Sequence, residues 1–176
     1  MSTERVAGGG TELDAIEHAR TLALRSLNQA PRTRHQLSEL LARRGVDEEV
    51  AQVLLDRFEE VGLLDDAAYA RSLVRSRVTE RGLARRALAQ ELRRKGIEED
   101  VAATALADIE PDDEERAARD VVRRKIRGMS QVDGDVATRR LVAVLGRKGY
   151  PAGLAYRVVR EELGLARDAG DEGVEP

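Results

Sequence analysis

The strongest constraint on this chain is an internal repeat with a period near 50 residues. One pattern, two leucines four residues apart and then a glycine followed by an apolar residue, occurs three times. The middle copy is Leu88, Leu92, Gly96 and Ile97, and the other copies stand 51 residues before it and 53 residues after it. Self-similarity at a fixed period is the signature of a tandem array of small structural units.

Each copy predicts an amphipathic helix that carries its own stop signal. Ala84, Leu88 and Leu92 recur every four residues and therefore line one narrow face of a helix. Lys95 and Gly96 follow, a cation suited to the negative end of a helix and a glycine suited to a left-handed cap. The pattern therefore predicts a helix followed by a tight turn in every repeat.

The composition favours closely packed helices. Hydrophobic residues make up 41% of the chain, charged residues 36% and aromatic residues only 2%. Leu, Val and Ala must then form the core, whereas strands favour aromatic and β-branched residues. We predict an all-α fold of three tandem three-helix repeats. The predicted domains are a disordered N-terminal tail over 1–13, repeats over 14–62, 63–110 and 111–163, and a loose acidic tail over 164–176.

Several classes of protein are disfavoured by the same sequence. The chain has no cysteine, which excludes disulfides and thiol chemistry and fits a reducing cytoplasm. No apolar run approaches the length of a membrane span, and no signal-peptide pattern begins the chain. His18 and His35 are the only histidines, and neither has a Cys or a second His at metal-ligand spacing; the pair Asp14 and His18 alone is a weak signal. We therefore predict a protein that is not an enzyme and that has no metal site and no cofactor.

Positive charge is concentrated in two blocks, residues 71–97 and 119–148, although the whole chain has a net charge of -3. Pairs such as Arg147 and Lys148 stand at predicted helix ends, where they offset the helix dipole, so a purely structural role is one alternative. The dipole does not explain Arg86 and Arg139, which occupy equivalent mid-helix positions on the predicted solvent face. A basic surface facing a polyanion or an acidic protein is the second alternative, and a plain solvated face is the third. The predicted partner- and DNA-contact residues are Arg71, Arg75, Arg85, Arg86, Arg93, Arg94, Lys95, Arg123, Arg124, Lys125, Arg139, Arg140, Arg147 and Lys148.

Two motifs at fixed spacing resemble a known family. They are Phe58-x3-Gly62-Leu63-Leu64-Asp65-Asp66-x2-Tyr69-Ala70 and Leu88-x2-Glu91-Leu92-x2-Lys95-Gly96-Ile97. With the triple repeat, they make the sequence similar to the RecX family of bacterial RecA regulators. The motif residues are interpreted as fold-making and not as contact residues: Phe58, Gly62, Leu63, Asp65, Asp66, Tyr69, Leu88, Leu92, Gly96 and Ile97.

The resemblance implies a specific function. Members of this family are elongated, curved arrays of three-helix repeats that bind RecA in the helical groove of its filament on single-stranded DNA. They inhibit the ATPase, strand-exchange and coprotease activities of RecA, and so modulate recombination and the SOS response. The resemblance also implies a cytoplasmic monomer with RecA as its partner, weak direct contact with DNA and no contact with membranes.

A nucleic-acid-binding helical repeat protein, acting directly on single-stranded or duplex DNA, is the alternative function. The sequence pI near 5.6 argues against it, because most nucleic-acid-binding domains are basic overall. Three Tyr and one Phe leave few rings for base stacking, so binding to a single strand would be mainly electrostatic.

Overall fold

The computed structural model describes residues 8–129 and 133–171, with side chains described over 13–129 and 133–164. Within those ranges there are nine α-helices, one short π-helix and no strand. The α-helices are α1 Gly8–Gln29, α2 Arg34–Arg43, α3 Glu48–Glu60, α4 Asp66–Ser76, α5 Arg85–Arg94, α6 Glu99–Ala107, α7 Pro111–Ile126, α8 Gly134–Arg147 and α9 Ala152–Asp171, and the π-helix Arg77–Arg81 follows α4. The predicted all-α fold of three tandem three-helix repeats is confirmed, while its elongated, curved arrangement stays a prediction.

The described residues form two compact units. The first contains the chain up to Ala70 together with Leu92–Val101, and the second contains Arg71–Glu91 together with the chain from Ala102 onward. The division passes through α4, α5 and α6, so the compact units do not coincide with the sequence repeats. The boundaries assigned to the three repeats therefore stay a prediction.

Each unit has its own core of aliphatic side chains. In the first unit, Leu37 and Leu41 of α2 pack with Leu55 of α3, and all three are fully buried. The core of the second unit joins α7, α8 and α9, and its largest fully buried side chains are Val122, Leu141, Leu145, Val158 and Val159. The leucines of the repeated pattern are thus the residues around which the helices pack.

Side-chain caps fix where several helices begin. Thr33 forms a capping box with Gln36 at the start of α2. Asp47 and Asp133 accept hydrogen bonds from backbone amides in the first turns of α3 and α8. Asp65 accepts one from the amide of Ala68, 2.7 Å away, at the start of α4. Three acidic residues, Asp47, Asp65 and Asp133, are therefore used to satisfy helix ends.

A three-part joint links the start of α2 to the end of α5 and the start of α4 in the first unit. The Thr33 hydroxyl donates to the carbonyl oxygen of Lys95 at 2.6 Å, and the amide of Arg34 donates to the Asp66 carboxylate at 2.9 Å. Gly96 has a φ of 74° and lies so close to His35 that an added Cβ would be 2.2 Å from the histidine Cβ. Glycine is therefore required here by both backbone conformation and space.

The same joint recurs in the second unit, one repeat later. Ala84 and Arg85 stand 51 residues after Thr33 and Arg34. The amide of Ala84 donates to the carbonyl oxygen of Lys148 at 2.9 Å, and the amide of Arg85 donates to the Glu114 carboxylate at 2.9 Å. Gly149 has a φ of 91°, and an added Cβ would be 2.7 Å from the backbone nitrogen of Ala87. The repeat in sequence is thus a repeat of this joint.

A buried carboxylate holds α9 against α7. Glu162 is only 4% exposed, and Arg123 donates to both of its oxygens, at 2.7 and 3.0 Å. Arg119 donates to Glu162 at 3.3 Å and also to Glu115 and Glu161, each at 2.6 Å. Burial raises the pKa of the Glu162 carboxyl, but the hydrogen bonds from the two arginines outweigh it and leave the pKa below its usual range. The network contains pairs that lie about 40 positions apart and one pair, Arg119 with Glu115, that lies four positions apart.

Two helix boundaries differ from the predicted tails. Helix α1 begins at Gly8, inside the predicted disordered tail over 1–13, and α9 continues to Asp171, inside the predicted loose tail over 164–176. A glycine in a helix costs about 1 kcal/mol relative to alanine, which weakens the helix but does not end it. Leu165, Ala166 and Arg167 are good helix formers, so α9 continues past Gly164.

We predict that Gly149→Ala destabilises the second unit by at least about 2 kcal/mol, because it combines a positive φ with a clash against backbone. Gly146→Ala is the matched control. It lies in α8 with nothing within 4 Å of the added Cβ, so a gain of about 0.5–1 kcal/mol is expected. Urea unfolding of both variants measures the difference, and equal stability of the two would contradict the joint.

We also predict that Glu162→Gln lowers the free energy of unfolding by about 2 kcal/mol at neutral pH, because charge-assisted hydrogen bonds to a buried carboxylate are lost. Glu161→Gln, at a carboxylate that is 45% exposed, should cost less than about 1 kcal/mol.

The pH dependence of this effect has a defined sign. A carboxyl whose pKa is lower in the folded state stabilises the protein above its unfolded pKa, about 4.3 for Glu. That contribution is lost as the pH falls through the folded pKa. The stability difference between wild type and Glu162→Gln should therefore shrink below about pH 4 in urea titrations at several pH values. A difference that stays constant down to strongly acidic pH would show that the charge of Glu162 is not what stabilises the α7–α9 contact.

Candidate partner-binding surface

The predicted contact residues lie at the surface. All fourteen are exposed except Lys95 and Lys148, which are half-buried. Arg86 of α5 and Arg139 of α8, equivalent in the repeat, are both exposed. A plain solvated face would also leave these side chains exposed. The alternatives are therefore separated by whether the cations have carboxylate partners within the fold.

Within the described residues, Arg123 is the one member of the predicted set that forms an ion pair. Its guanidinium is committed to Glu162, which gives it a structural role that the sequence did not reveal. Lys95 differs from the others because its ammonium lies 5.8 Å from the centre of the Tyr69 ring, a cation–π contact. The remaining predicted cations have no carboxylate partner in the part of the chain that the structure describes.

Four cations gather around the turn between the π-helix and α5; we call them the Lys148 cluster. They are Arg81, Arg124, Lys125 and Lys148. The Lys148 ammonium donates a hydrogen bond to the carbonyl oxygen of Arg81. Burial lowers the pKa of Lys148, and the positive charges of Arg124, Lys125 and Arg81 lower it further. Positive charge is thus concentrated here at some cost to the folded state.

Tyr150 anchors the turn that carries Arg81. Its buried hydroxyl donates to the carbonyl oxygen of Gly82 at 3.1 Å. Burial raises the pKa of the Tyr150 hydroxyl, so it stays protonated as a donor. Arg81 belongs to the basic block seen in the sequence but not to the predicted contact set, and its proximity to Lys148 could not be read from spacing along the chain.

Lys125 also borders a groove between the end of α7 and α8, which we call the α7–α8 groove. The groove has a volume of about 370 Å³, and its cations are Lys125, Arg140 and Arg147. Arg140 and Arg147 stand seven residues apart, two helical turns, and so share one face of α8. The rest of the lining is apolar: Met129, Leu141, Ala143 and Val144.

A second groove follows the π-helix, and we call it the π-helix groove. It has a volume of about 490 Å³ and a floor that includes Val74, Val78 and Ile109. Arg71, Arg75, Arg116 and Arg124 line it, but so do Asp108, Asp113 and Asp120, and the charges nearly cancel. π-Helical turns occur often at functional sites. The near-neutral lining nevertheless makes this groove a weaker match to an anionic partner than the α7–α8 groove.

The predicted cations divide between the two compact units. Arg93, Arg94 and Lys95 belong to the first compact unit, whereas the Lys148 cluster and both grooves belong to the second. Arg85 and Arg86, at the start of α5, border neither groove. The predicted set therefore stays a set of separate candidates.

The motif residues assigned to the fold have the following positions in the structure. Phe58, Leu88, Leu92 and Ile97 are buried, Gly62 and Gly96 adopt positive φ, Asp65 and Asp66 accept backbone hydrogen bonds, and Tyr69 is half-buried. Leu63 differs, because its side chain is 49% exposed. Its amide donates to the carbonyl oxygen of Phe58 at 2.8 Å, so it contributes to the turn through its backbone.

The described part of the chain contains no group of three or more His, Asp or Glu placed to hold a metal ion. Across the described helices, none is long and apolar enough to cross a membrane.

Comparisons with known proteins agree on one family. The family model for the first three-helix domain of RecX matches residues 19–58, and the model for the second matches residues 65–106. The chain is 47% identical to the regulatory protein RecX of Streptomyces coelicolor, over 98% of this chain and 94% of that protein. It is 49% identical to that of Thermobifida fusca, over 89% and 84% of the two chains. The crystal structure of RecX from Lactobacillus salivarius has the same fold, with a TM-score of 0.75 at 19% identity over 85% of this chain and 97% of that one.

Proposed function

Because the chain belongs to the RecX family of regulatory proteins, we propose that it is a non-catalytic regulator of RecA in the cytoplasm. In this proposal it binds the RecA filament on single-stranded DNA and inhibits the ATPase, strand-exchange and coprotease activities. Recombination and the SOS response would be modulated in consequence. The starting point of this proposal is the resemblance of the two sequence motifs to the family, which close relatives now support.

The observation that carries the proposal is the set of exposed cations without carboxylate partners. The fold pairs Arg119, Arg123 and Arg157 with acids of the same unit, yet leaves the α7–α8 groove and the Lys148 cluster unpaired. A filament of protein on DNA offers both carboxylates and phosphates as partners for such cations. Arg86 and Arg139 add two further unpaired charges at equivalent positions of the repeat.

Inhibition follows if the bound regulator either blocks filament ends or occupies the filament groove. End blocking needs few molecules, because one regulator stops the growth of a whole filament. Groove binding also needs few molecules if disassembly of the filament spreads from each bound regulator. Inhibition at a low ratio of regulator to RecA is therefore expected in both modes.

We predict that titration with this protein inhibits ATP hydrolysis by RecA on single-stranded DNA well below one regulator per RecA monomer. Inhibition only at excess, relieved by adding DNA, would instead indicate simple competition for DNA and favour the direct nucleic-acid-binding alternative. No inhibition at any ratio would contradict the proposed function.

Reversal of Arg86 and Arg139 to Glu tests the contact residues. We expect the concentration for half-maximal inhibition to rise about tenfold or more, because two attractive contacts become repulsive. Helicity should not change, since both side chains are exposed. The matched control is Arg25→Glu with Arg160→Glu, which changes the net charge equally at exposed arginines outside the predicted set. Equal inhibition by the two double variants would remove Arg86 and Arg139 from the interface.

A further inference from the structure

The α7–α8 groove differs from the π-helix groove in two properties. Its charged side chains, Lys125, Arg140 and Arg147, are exposed and all positive. Its remaining lining is aliphatic, with Leu141 buried and Met129 and Val144 half-buried. The groove thus has an apolar floor and a cationic rim, and its described lining residues include no carboxylate.

The helix dipole favours Lys125 and Arg147 near the ends of α7 and α8, but no carboxylate among the described residues pairs with the cations of the rim. Arg119 and Arg123 of α7 form ion pairs with Glu162 of α9, and Arg119 also pairs with Glu115 of α7. These two arginines therefore have carboxylate partners within the fold. Lys125, two residues further on, has no such partner and instead adds its charge to the Lys148 cluster. Like charges gathered on one surface destabilise a folded chain, so an external anion is the natural partner of this rim.

The floor of the groove indicates which class of anionic partner fits better, a single-stranded nucleic acid or an acidic protein segment. A single-stranded nucleic acid binds through its phosphates and through bases stacked on aromatic rings. None of the described residues that line the groove is aromatic. An acidic protein segment fits better, because an apolar side chain can bury against aliphatic residues while carboxylates form bidentate pairs with arginines.

We propose that the α7–α8 groove binds an acidic segment of the partner protein. One bulky apolar side chain of that segment lies on Met129, Leu141 and Val144, and flanking carboxylates pair with Lys125, Arg140 and Arg147. The volume of about 370 Å³ is at the small end of the range for ligand pockets, which suits one anchor side chain and its neighbours. This inference rests on the proposed function, since it names the chemistry of a contact made with the protein of the filament.

A model peptide tests the groove without the filament. The probe is a hexapeptide, Asp-Glu-Leu-Leu-Asp-Glu, blocked at both ends and titrated into the isotope-labelled full chain while amide NMR shifts are followed. We expect shifts confined to the end of α7 and the exposed face of α8. Replacing both leucines of the peptide by alanine should weaken binding about tenfold, because the apolar anchor is lost.

The charge requirement is tested by Lys125→Gln, Arg140→Gln and Arg147→Gln together. Binding of the leucine peptide should weaken about tenfold relative to wild type, since each lost ion pair contributes part of the affinity. The matched control, Arg25→Gln with Arg44→Gln and Arg160→Gln, removes three exposed cations elsewhere and should bind the peptide as wild type does. Equal binding by both triple variants, or equal binding of the leucine and alanine peptides, would overturn the proposal.

Oligothymidylate, titrated in the same way, distinguishes the other class of partner. If it shifts the same amides more strongly than the leucine peptide, the groove is a nucleic-acid site and the proposal fails. The filament assay separates this failure from that of the proposed function. If wild type inhibits RecA and the groove variant inhibits equally well, only the groove proposal is overturned. If wild type never inhibits RecA, the proposed function is overturned, and the peptide titration still tests the groove proposal.

Discussion

The left-handed turn after α5 and after α8 is the constraint on which the rest of the structure depends. At each turn a glycine approaches the preceding repeat closely, Gly96 against His35 and Gly149 against Ala87. The carbonyl oxygen of the residue before the glycine, Lys95 or Lys148, accepts a hydrogen bond from the start of α2 or α5. A side chain at the glycine would push these elements apart, so the joint explains why the 50-residue period is visible in the sequence.

The joints also determine which charges remain available to a partner. Asp66 and Glu114, acids in the first turns of α4 and α7, accept from the amides of Arg34 and Arg85 and are thereby used inside the array. Other acids cap helices or enter the Glu162 network. Cations at the ends of α7 and α8 need no carboxylate partner within the fold, because the helix dipole already favours positive charge there. A chain with a net charge of -3 can therefore present a local surface that is strongly positive.

Local rules predicted much of the fold from the sequence. The capping box at Thr33, the cap at Asp65 and the glycine turns follow from interactions within a few residues, and the structure has all of them. The π-helix over 77–81 and the pairing of Arg123 with Glu162 were not predicted, since both depend on how distant segments pack. The same limit applies to the candidate surface. Exposure of the cations was predictable from the helical period, but the meeting of Arg81 with Lys148, 67 residues apart, was not.

If the unpaired cations of α7 and α8 face the partner, a dye in the α7–α8 groove should respond to binding. The chain has no cysteine, so Ala143→Cys can carry a single environment-sensitive dye in the α7–α8 groove while every cation is kept. Ala42→Cys, at an exposed position of α2, carries the same dye as the reference. On addition of RecA filaments on single-stranded DNA, we expect the emission of the dye at position 143 to change more than that of the dye at position 42. Binding to the filament with no change at position 143 would contradict it.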